Sequence, residues 1–154
     1  MKRIMFVCKH NSARSQMAEG FARAMGQGKV AVASAGLQAS QIHPGAIAAM
    51  NDVGIDISNQ TSKPLSDFSP EDFDAVISLC GCRVNLPSQW LVSDIFEDWQ
   101  LADPAEDSDL FVPIRDQIRE NVARLLQTLH IEGDRRWISI QANFSQCQDR
   151  GESK

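Results

Sequence analysis

The apolar run Ile4-Met-Phe-Val7 follows Met1-Lys-Arg3 and ends at Cys8. A short, unbroken apolar run bounded by polar residues predicts a buried strand. Across residues 16–26 the apolar positions Met17, Ala18, Phe21, Ala22 and Met25 recur at helical spacing, and Gly26 and Gly28 end the pattern. Val30-Ala-Val-Ala-Ser34 predicts a second strand, with Ala35-Gly36 as its turn. Pro44 suits the opening of a helix whose stripe is Ile47, Met50 and Val53, stopped at Gly54. Residues 58–70 are polar, hold two prolines and predict a loop. Ala75–Leu79 predicts a third buried strand and Leu91–Phe96 a fourth. Pro113 opens the last helix, with Ile114, Ile118, Val122, Leu125, Leu126 and Leu129 on one face.

Strands alternating with helices imply an α/β domain with a four-stranded parallel sheet, right-handed crossovers and flanking helices. In such a sheet the ligand site lies beyond the carboxyl ends of the strands. Cys8 ends the first strand, Cys80 ends the third, and Asp103-Pro104 lies just beyond the fourth. Groups far apart in sequence therefore meet at one edge. A length of 154 residues fits one domain. Every predicted element falls within residues 1–130. Residues 131–154, with Trp137-Ile-Ser-Ile140 and Phe144, form a C-terminal extension of unassigned structure.

The segment Cys8-Lys-His-Asn-Ser-Ala-Arg14-Ser15, between a strand and a helix, has the character of an oxyanion cradle. A loop of this size curls so that the backbone N–H groups of Lys9, His10, Asn11, Ser12, Ala13 and Arg14 point at one anion. The helix that follows adds its positive N-terminal end. Arg14 forks two oxygens of a tetrahedral anion, which Lys does not do in the same geometry. The same field favours the thiolate of Cys8, and Ser15 is placed to donate to it. Asn11, in mid-loop, suits a bracing amide or a left-handed backbone.

Cys80-Gly81-Cys82 is the second constellation. Two clustered sulfurs fall short of the four ligands of a closed zinc site, so no metal is expected. Gly81 permits backbone angles that bring the sulfurs together. A disulfide across one residue is strained and easily reduced again, which suits turnover better than structural stapling. Asp103 is a candidate general acid on its loop. His43 and His130 read as surface or capping residues, and Cys147 receives no role.

Net charge is −5, which does not suggest a nucleic-acid partner. No apolar run is long enough to span a membrane, and the first one is too short for a signal peptide. A cytoplasmic protein with reduced, chemically active cysteines is the expectation, and it is expected to be a monomer.

Together these residues resemble the low-molecular-weight tyrosine phosphatase superfamily, and within it the phosphatase-like arsenate reductases. The resemblance runs from about Met1 to Leu129. It rests on the Cys8–Ser15 loop, Ser34-Ala-Gly36, Gly54-Ile-Asp-Ile-Ser58, Asp74–Gly81 and Asp103-Pro104. It implies that Cys8 attacks the oxyanion, Arg14 binds it, Asp103 serves as acid and Cys80 is the second redox cysteine. The implied reaction is reduction of arsenate to arsenite through a cascade of disulfides, with phosphate or sulfate as analogues. No bound cofactor is implied, only an external thiol: glutathione with glutaredoxin, or thioredoxin.

The chain departs from the thioredoxin-coupled pattern, in which a third cysteine lies several residues beyond the second. Here none occurs between Cys82 and Cys147, so Cys82 or an external thiol takes that step. Some relatives hold potassium near the loop through an acid after a Thr-Ser pair. Lys63 follows Thr61-Ser62 here, and that ion is not expected. The alternative function is a tyrosine phosphatase acting on phosphomonoesters, and residual phosphatase activity is expected under either reading. Against it as the main role, Ala-Glu-Asp-Ser-Asp follows Asp103-Pro104 in place of aromatic walls. A thiol-based sensor would use Cys80 and Cys82 but would leave the Cys8–Ser15 loop without a purpose.

Overall fold

β1 (Lys2–Cys8) lies between β2 (Val30–Gly36) and β3 (Ala75–Ser78), and β4 (Ile95–Asp98) pairs with the outer side of β3. All pairings are parallel, giving the order β2-β1-β3-β4. This computed structural model describes residues 1–81 and 85–132. The expected four-stranded parallel sheet is the one observed. Ile4–Val7 and Ala75–Ile77 are fully buried because their strands have neighbours on both sides and cover on both faces. β4 is an edge strand, half-buried along its length, and so tolerates Glu97 and Asp98.

Alternation along the strands divides the core into two layers. Ile4, Phe6, Cys8 and Ile77 join a cluster with α1 (Arg14–Gly26), α2 (Pro44–Asn51) and α3 (Phe111–Thr128). Met5, Val7 and Val76 face the other way, where Leu65, Leu86 and Trp90 cover them. Leu65 and Trp90 sit in short 3-10 turns, so among the described residues this second face is closed by loop structure and the first by helices.

Several boundaries differ from the sequence pattern: β2 runs on through Ala35-Gly36, expected as its turn, because these residues pair with Val7 and Cys8, and α1 starts at Arg14 and not at residue 16. The fourth strand was expected over 91–96 and runs Ile95–Asp98. Trp90 is drawn into the second cluster on a 3-10 turn, which leaves Val92 79% exposed, and Ser93 Oγ then donates to the Ile95 carbonyl at 2.8 Å to start the strand. α3 begins at Phe111, with Pro113 inside the first turn, where its missing N–H costs nothing. His43 caps α2, its Nδ1 accepting from Gly45 N at 2.9 Å. In the Gly54–Ser58 segment the Asp56 carboxyl is held below its ordinary range, chiefly by hydrogen bonds from the Ser58 side chain and then its backbone.

The end of β2 supports the loop after β1. Gly36 N donates to the Lys63 carbonyl at 2.8 Å, and a methyl group on Gly36 would lie 2.4 Å from Gln38 O and 2.7 Å from Asn11 N. Those neighbours are backbone and have no rotamer with which to yield. Gly36→Ala is therefore expected to destabilise the fold by about 1–3 kcal/mol and to weaken phosphate binding at the adjacent loop. Denaturant unfolding and phosphate titration measure both, and an unchanged midpoint would contradict the close approach.

Candidate active site

The loop between β1 and α1 turns its carbonyls outward. Cys8 O accepts from Leu37 N, Lys9 O from Gln38 N, Ser12 O from His43 N and Ala13 O from Met17 N. His10 O accepts from Ser62 Oγ and Ser40 Oγ, and Asn11 O from Gln16 Nε2. Each peptide is trans, so the N–H of the next residue points away from the engaged carbonyl. The carbonyls of Cys8, Lys9, His10, Asn11, Ser12 and Ala13 are all engaged within the protein. α1 starts at Arg14 and presents its N-terminus at the end of this loop.

Asn11 holds this shape from beneath. It is fully buried and left-handed, with φ of 49°. Its Oδ1 accepts from Lys63 N and Gln16 Nε2, each at 2.9 Å. A backbone N–H can only donate, so the amide orientation is determined, and Nδ2 donates to Ser15 Oγ at 2.8 Å and Ser34 Oγ at 2.9 Å. Each hydroxyl accepts from Asn11 and turns its own hydrogen elsewhere. Ser34 directs it at Glu19 Oε1, 2.5 Å away, and Ser15 Oγ shares a hydrogen bond with Cys8 Sγ, 2.8 Å away, in which it is the donor when the sulfur is a thiolate.

Glu19 is buried with cations on two sides. Arg23 Nη1 lies 2.7 Å from its Oε2, and Lys63 Nζ lies 4.0 Å from its Oε1 while donating to the Thr61 carbonyl. Positive charge next to this carboxylate thus comes from side chains. Among the described residues, no cluster of three or more metal-ligating side chains forms.

A cavity of about 280 Å³ opens above the loop, lined by Cys8, His10, Ser12, Ala13, Arg14, Ser40, Asp103 and Ala105. Arg14 is buried, with Nη1 donating to the Leu101 carbonyl at 2.7 Å and Nη2 3.8 Å from Asp103 Oδ2. Asp103 Oδ1 accepts from Ala105 N at 3.0 Å, so this oxygen caps the turn at Pro104 and the other faces Arg14. A nucleophilic sulfur, a guanidinium fork and a carboxyl group share one small cavity, which equips it for attack on a tetrahedral oxyanion and for protonation of a departing oxygen.

Cys8, Arg14 and Asp103 come together as the sequence pattern implied, with Ser15 and Asn11 beneath them, while Lys9 lies exposed. Cys80 does not line the cavity. It is disulfide-bonded, whereas Cys8 is a free, buried thiol. Ser78 Oγ lies 3.9 Å from Cys80 Sγ. Cys82 and Cys147 lie outside the described residues. Gln16, Glu19 and Ser40 carry no role in the sequence pattern, and Lys63 entered it only as the residue in place of an acid. The i, i+4 series Ser15, Glu19, Arg23 was the available signal for Glu19, a polar line beside the apolar stripe of α1.

Residues 3–135 match the family model described as low molecular weight phosphotyrosine protein phosphatase. A glutaredoxin arsenate reductase of Synechocystis sp. is 58% identical over 127 residues, covering 82% of this chain and 97% of that protein. An arsenate reductase of Bacillus licheniformis is 37% identical over 134 residues, covering 82% and 96%. A solved arsenate reductase in the phosphate binding state is 56% identical and superposes with a TM-score of 0.78, covering 83% of this chain and 98% of that one.

The Asn11 network makes a separable prediction. Asn11→Ala removes both donors and both acceptors and places a Cβ residue without a local hydrogen bond in the left-handed region. A loss of about 2–4 kcal/mol is expected. Asn11→Gly relieves the backbone alone, so it should recover only a minor part of that loss. Full recovery by glycine in chemical denaturation would mean that φ, and not the amide, is what the position requires.

Proposed function

This chain belongs to the low molecular weight phosphotyrosine protein phosphatase family, and from that premise we propose that it is an arsenate reductase whose electrons come from glutathione through glutaredoxin. The name and 58% identity of the Synechocystis relative support both parts of this reading. The observation that carries it is the state of the cysteines: Cys8 is a free thiol in the oxyanion cavity while Cys80, at the end of the neighbouring strand, is disulfide-bonded. That is the arrangement left after a disulfide has moved off the nucleophile.

Arsenate enters the cradle, and Cys8 thiolate attacks arsenic. One oxygen leaves as water with a proton from Asp103, giving a Cys8 sulfur–arsenic(V) adduct. Cys80 thiolate then attacks Cys8 Sγ. The sulfur–arsenic bond breaks with its electron pair going to arsenic, so arsenite leaves and a Cys8–Cys80 disulfide forms. Two sulfurs have been oxidised and arsenic has gained two electrons. Cys82 thiolate attacks Cys80 Sγ and releases Cys8 as a thiolate. Two glutathione thiols, delivered through glutaredoxin, reduce the Cys80–Cys82 disulfide and end as glutathione disulfide.

Arg14 is the binding fork, and the outward carbonyls of the loop free its N–H groups for the remaining oxygens. Ser15 donates to the sulfur when it is the leaving group of the exchange as well as when it attacks. Every side chain named comes from one chain, so a monomer holds the complete apparatus. The phosphatase reading is the weaker one as a principal role: the cavity is small and its described lining contains no Phe, Trp or Tyr to stack on an aryl ester. The same cradle still supports slow hydrolysis of a small aryl phosphate.

Two variants test the assignment. Cys8→Ser should abolish arsenate reduction and aryl phosphate hydrolysis together, because the alcohol is a far weaker nucleophile at this site. Cys80→Ser should abolish reduction and leave aryl phosphate hydrolysis largely intact, because ester cleavage transfers no electrons. Arsenite release with glutathione and glutaredoxin is the assay, with thioredoxin as the comparison. Equal loss of both activities in folded Cys80→Ser would mean that this cysteine supports the fold and not the redox step.

A further inference from the structure

Cys80 has to occupy two positions in the cycle, one within reach of Cys8 Sγ and one in a disulfide away from the cavity. The structure has it in the second. What seats it there is a turn at the end of β4. Trp99 N donates to Ser78 O at 2.8 Å and Leu101 N to Leu79 O at 3.1 Å, which ties the turn to the end of β3. These backbone ties stop one residue short of Cys80.

The next tie comes from a side chain: Gly81 N donates to Asp98 Oδ1 at 3.1 Å. The same oxygen accepts from Gln100 N at 3.3 Å. Gly81 has φ of 70° and Gln100 φ of 43°, so both residues on this oxygen are left-handed. That conformation is costly for Gln100 and needs a local hydrogen bond to hold it. Asp98 supplies one to each residue. Arg14 meets the same turn at the Leu101 carbonyl, 2.7 Å away, but Leu101 is secured by its own bond to Leu79, independently of Asp98.

We propose that Asp98 is a positioning residue for the redox step, whose carboxylate latches the Gly81 N–H and seats the Cys80-Gly81 segment in its oxidised place. The proposal rests on the redox role given to Cys80 above. The latch favours the form in which the disulfide has left Cys8, so it returns the nucleophile to service. Reduction of the Cys80 disulfide by two glutathione thiols, yielding two cysteine thiols and glutathione disulfide, releases the segment for the next attack. Removing the latch weakens the oxidised form relative to the reduced one. It also leaves the disulfide on Cys8 for longer.

The full chain, Asp98→Ala and Asp98→Asn are equilibrated in glutathione/glutathione disulfide buffers, quenched by alkylation and weighed by mass spectrometry. In Asp98→Ala the equilibrium constant for reducing the Cys80 disulfide should rise about tenfold, or about 30 mV. Asp98→Asn keeps an acceptor in place and should recover most of that shift. With arsenate, Asp98→Ala should lower kcat and leave KM unchanged, with aryl phosphate hydrolysis at the parental rate. An Asp98→Ala titration that overlays the parent overturns the latch, as does Asp98→Asn behaving like Asp98→Ala. Parallel loss of aryl phosphate hydrolysis overturns it too, because Asp98 would then support the cradle. If the parent releases no arsenite, the reductase reading fails, while the glutathione titration still decides the latch.

Discussion

Asn11 is buried with both amide hydrogens and both carbonyl lone pairs engaged, and the rest of the site takes its positions from that one side chain. Its acceptor side binds α1 through Gln16 and the 61–63 segment through Lys63 N. Its donor side sets the hydroxyls of Ser15 and Ser34. A backbone donor on one end of the amide determines what the other end must do, and so makes Nδ2 the donor to Ser15 beneath Cys8 and to Ser34. Such a network is stable only when every member is satisfied, because an unpaired polar group here has no water to turn to. The buried Glu19 completes it by accepting from Ser34, with Arg23 and Lys63 offsetting its charge.

The order β2-β1-β3-β4 does the second part of the work. β1 and β3 are adjacent and parallel, with Val7 opposite Ser78, so the two strands deliver Cys8 and the Cys80 segment to the same edge. Leu79 N bonds to Val7 O at 2.8 Å, which keeps the strand ends in step up to the residue before Cys80. Beyond that point the chain leaves the sheet, and Gly81 allows the bend. Cys8, the proposed nucleophile, therefore sits on a rigid frame, and Cys80, its proposed redox partner, on the first residues beyond it. β4 ends beside them, carrying Asp98 and leading to the Leu101 carbonyl and Asp103 that flank Arg14.

Much of this was legible because it is local. The apolar runs of β1 and β3 report strands buried on both faces, and Cys8–Ser15 is a contiguous segment whose chemistry follows from residue types and order. Asp103 joined the site through topology alone, since a parallel sheet sends every strand end to one edge. The fourth strand was displaced because Leu91 and Val92 look like strand residues, yet Trp90 is the side chain the second core layer takes. Gln16 and Glu19 were hidden by their partners: a polar residue on α1 looks solvated until β2 and the 60–63 segment are packed against it. Asp98 was hidden similarly, since a charge at the end of an edge strand is ordinarily in water. Cys82, central to the proposed exchange, and residues 133–154 of the 131–154 extension lie outside the described residues.

The central claim is that the chain itself supplies both electrons to arsenate. A single turnover without any external thiol tests it most directly. Fully reduced protein, freed of reductant, is mixed with excess arsenate, and arsenite and free thiols are counted. The account predicts one arsenite per chain, loss of two thiols, and a disulfide at Cys80 with Cys8 again open to alkylation. No arsenite until glutathione is added, with Cys8 then recovered as its glutathione adduct, would contradict it.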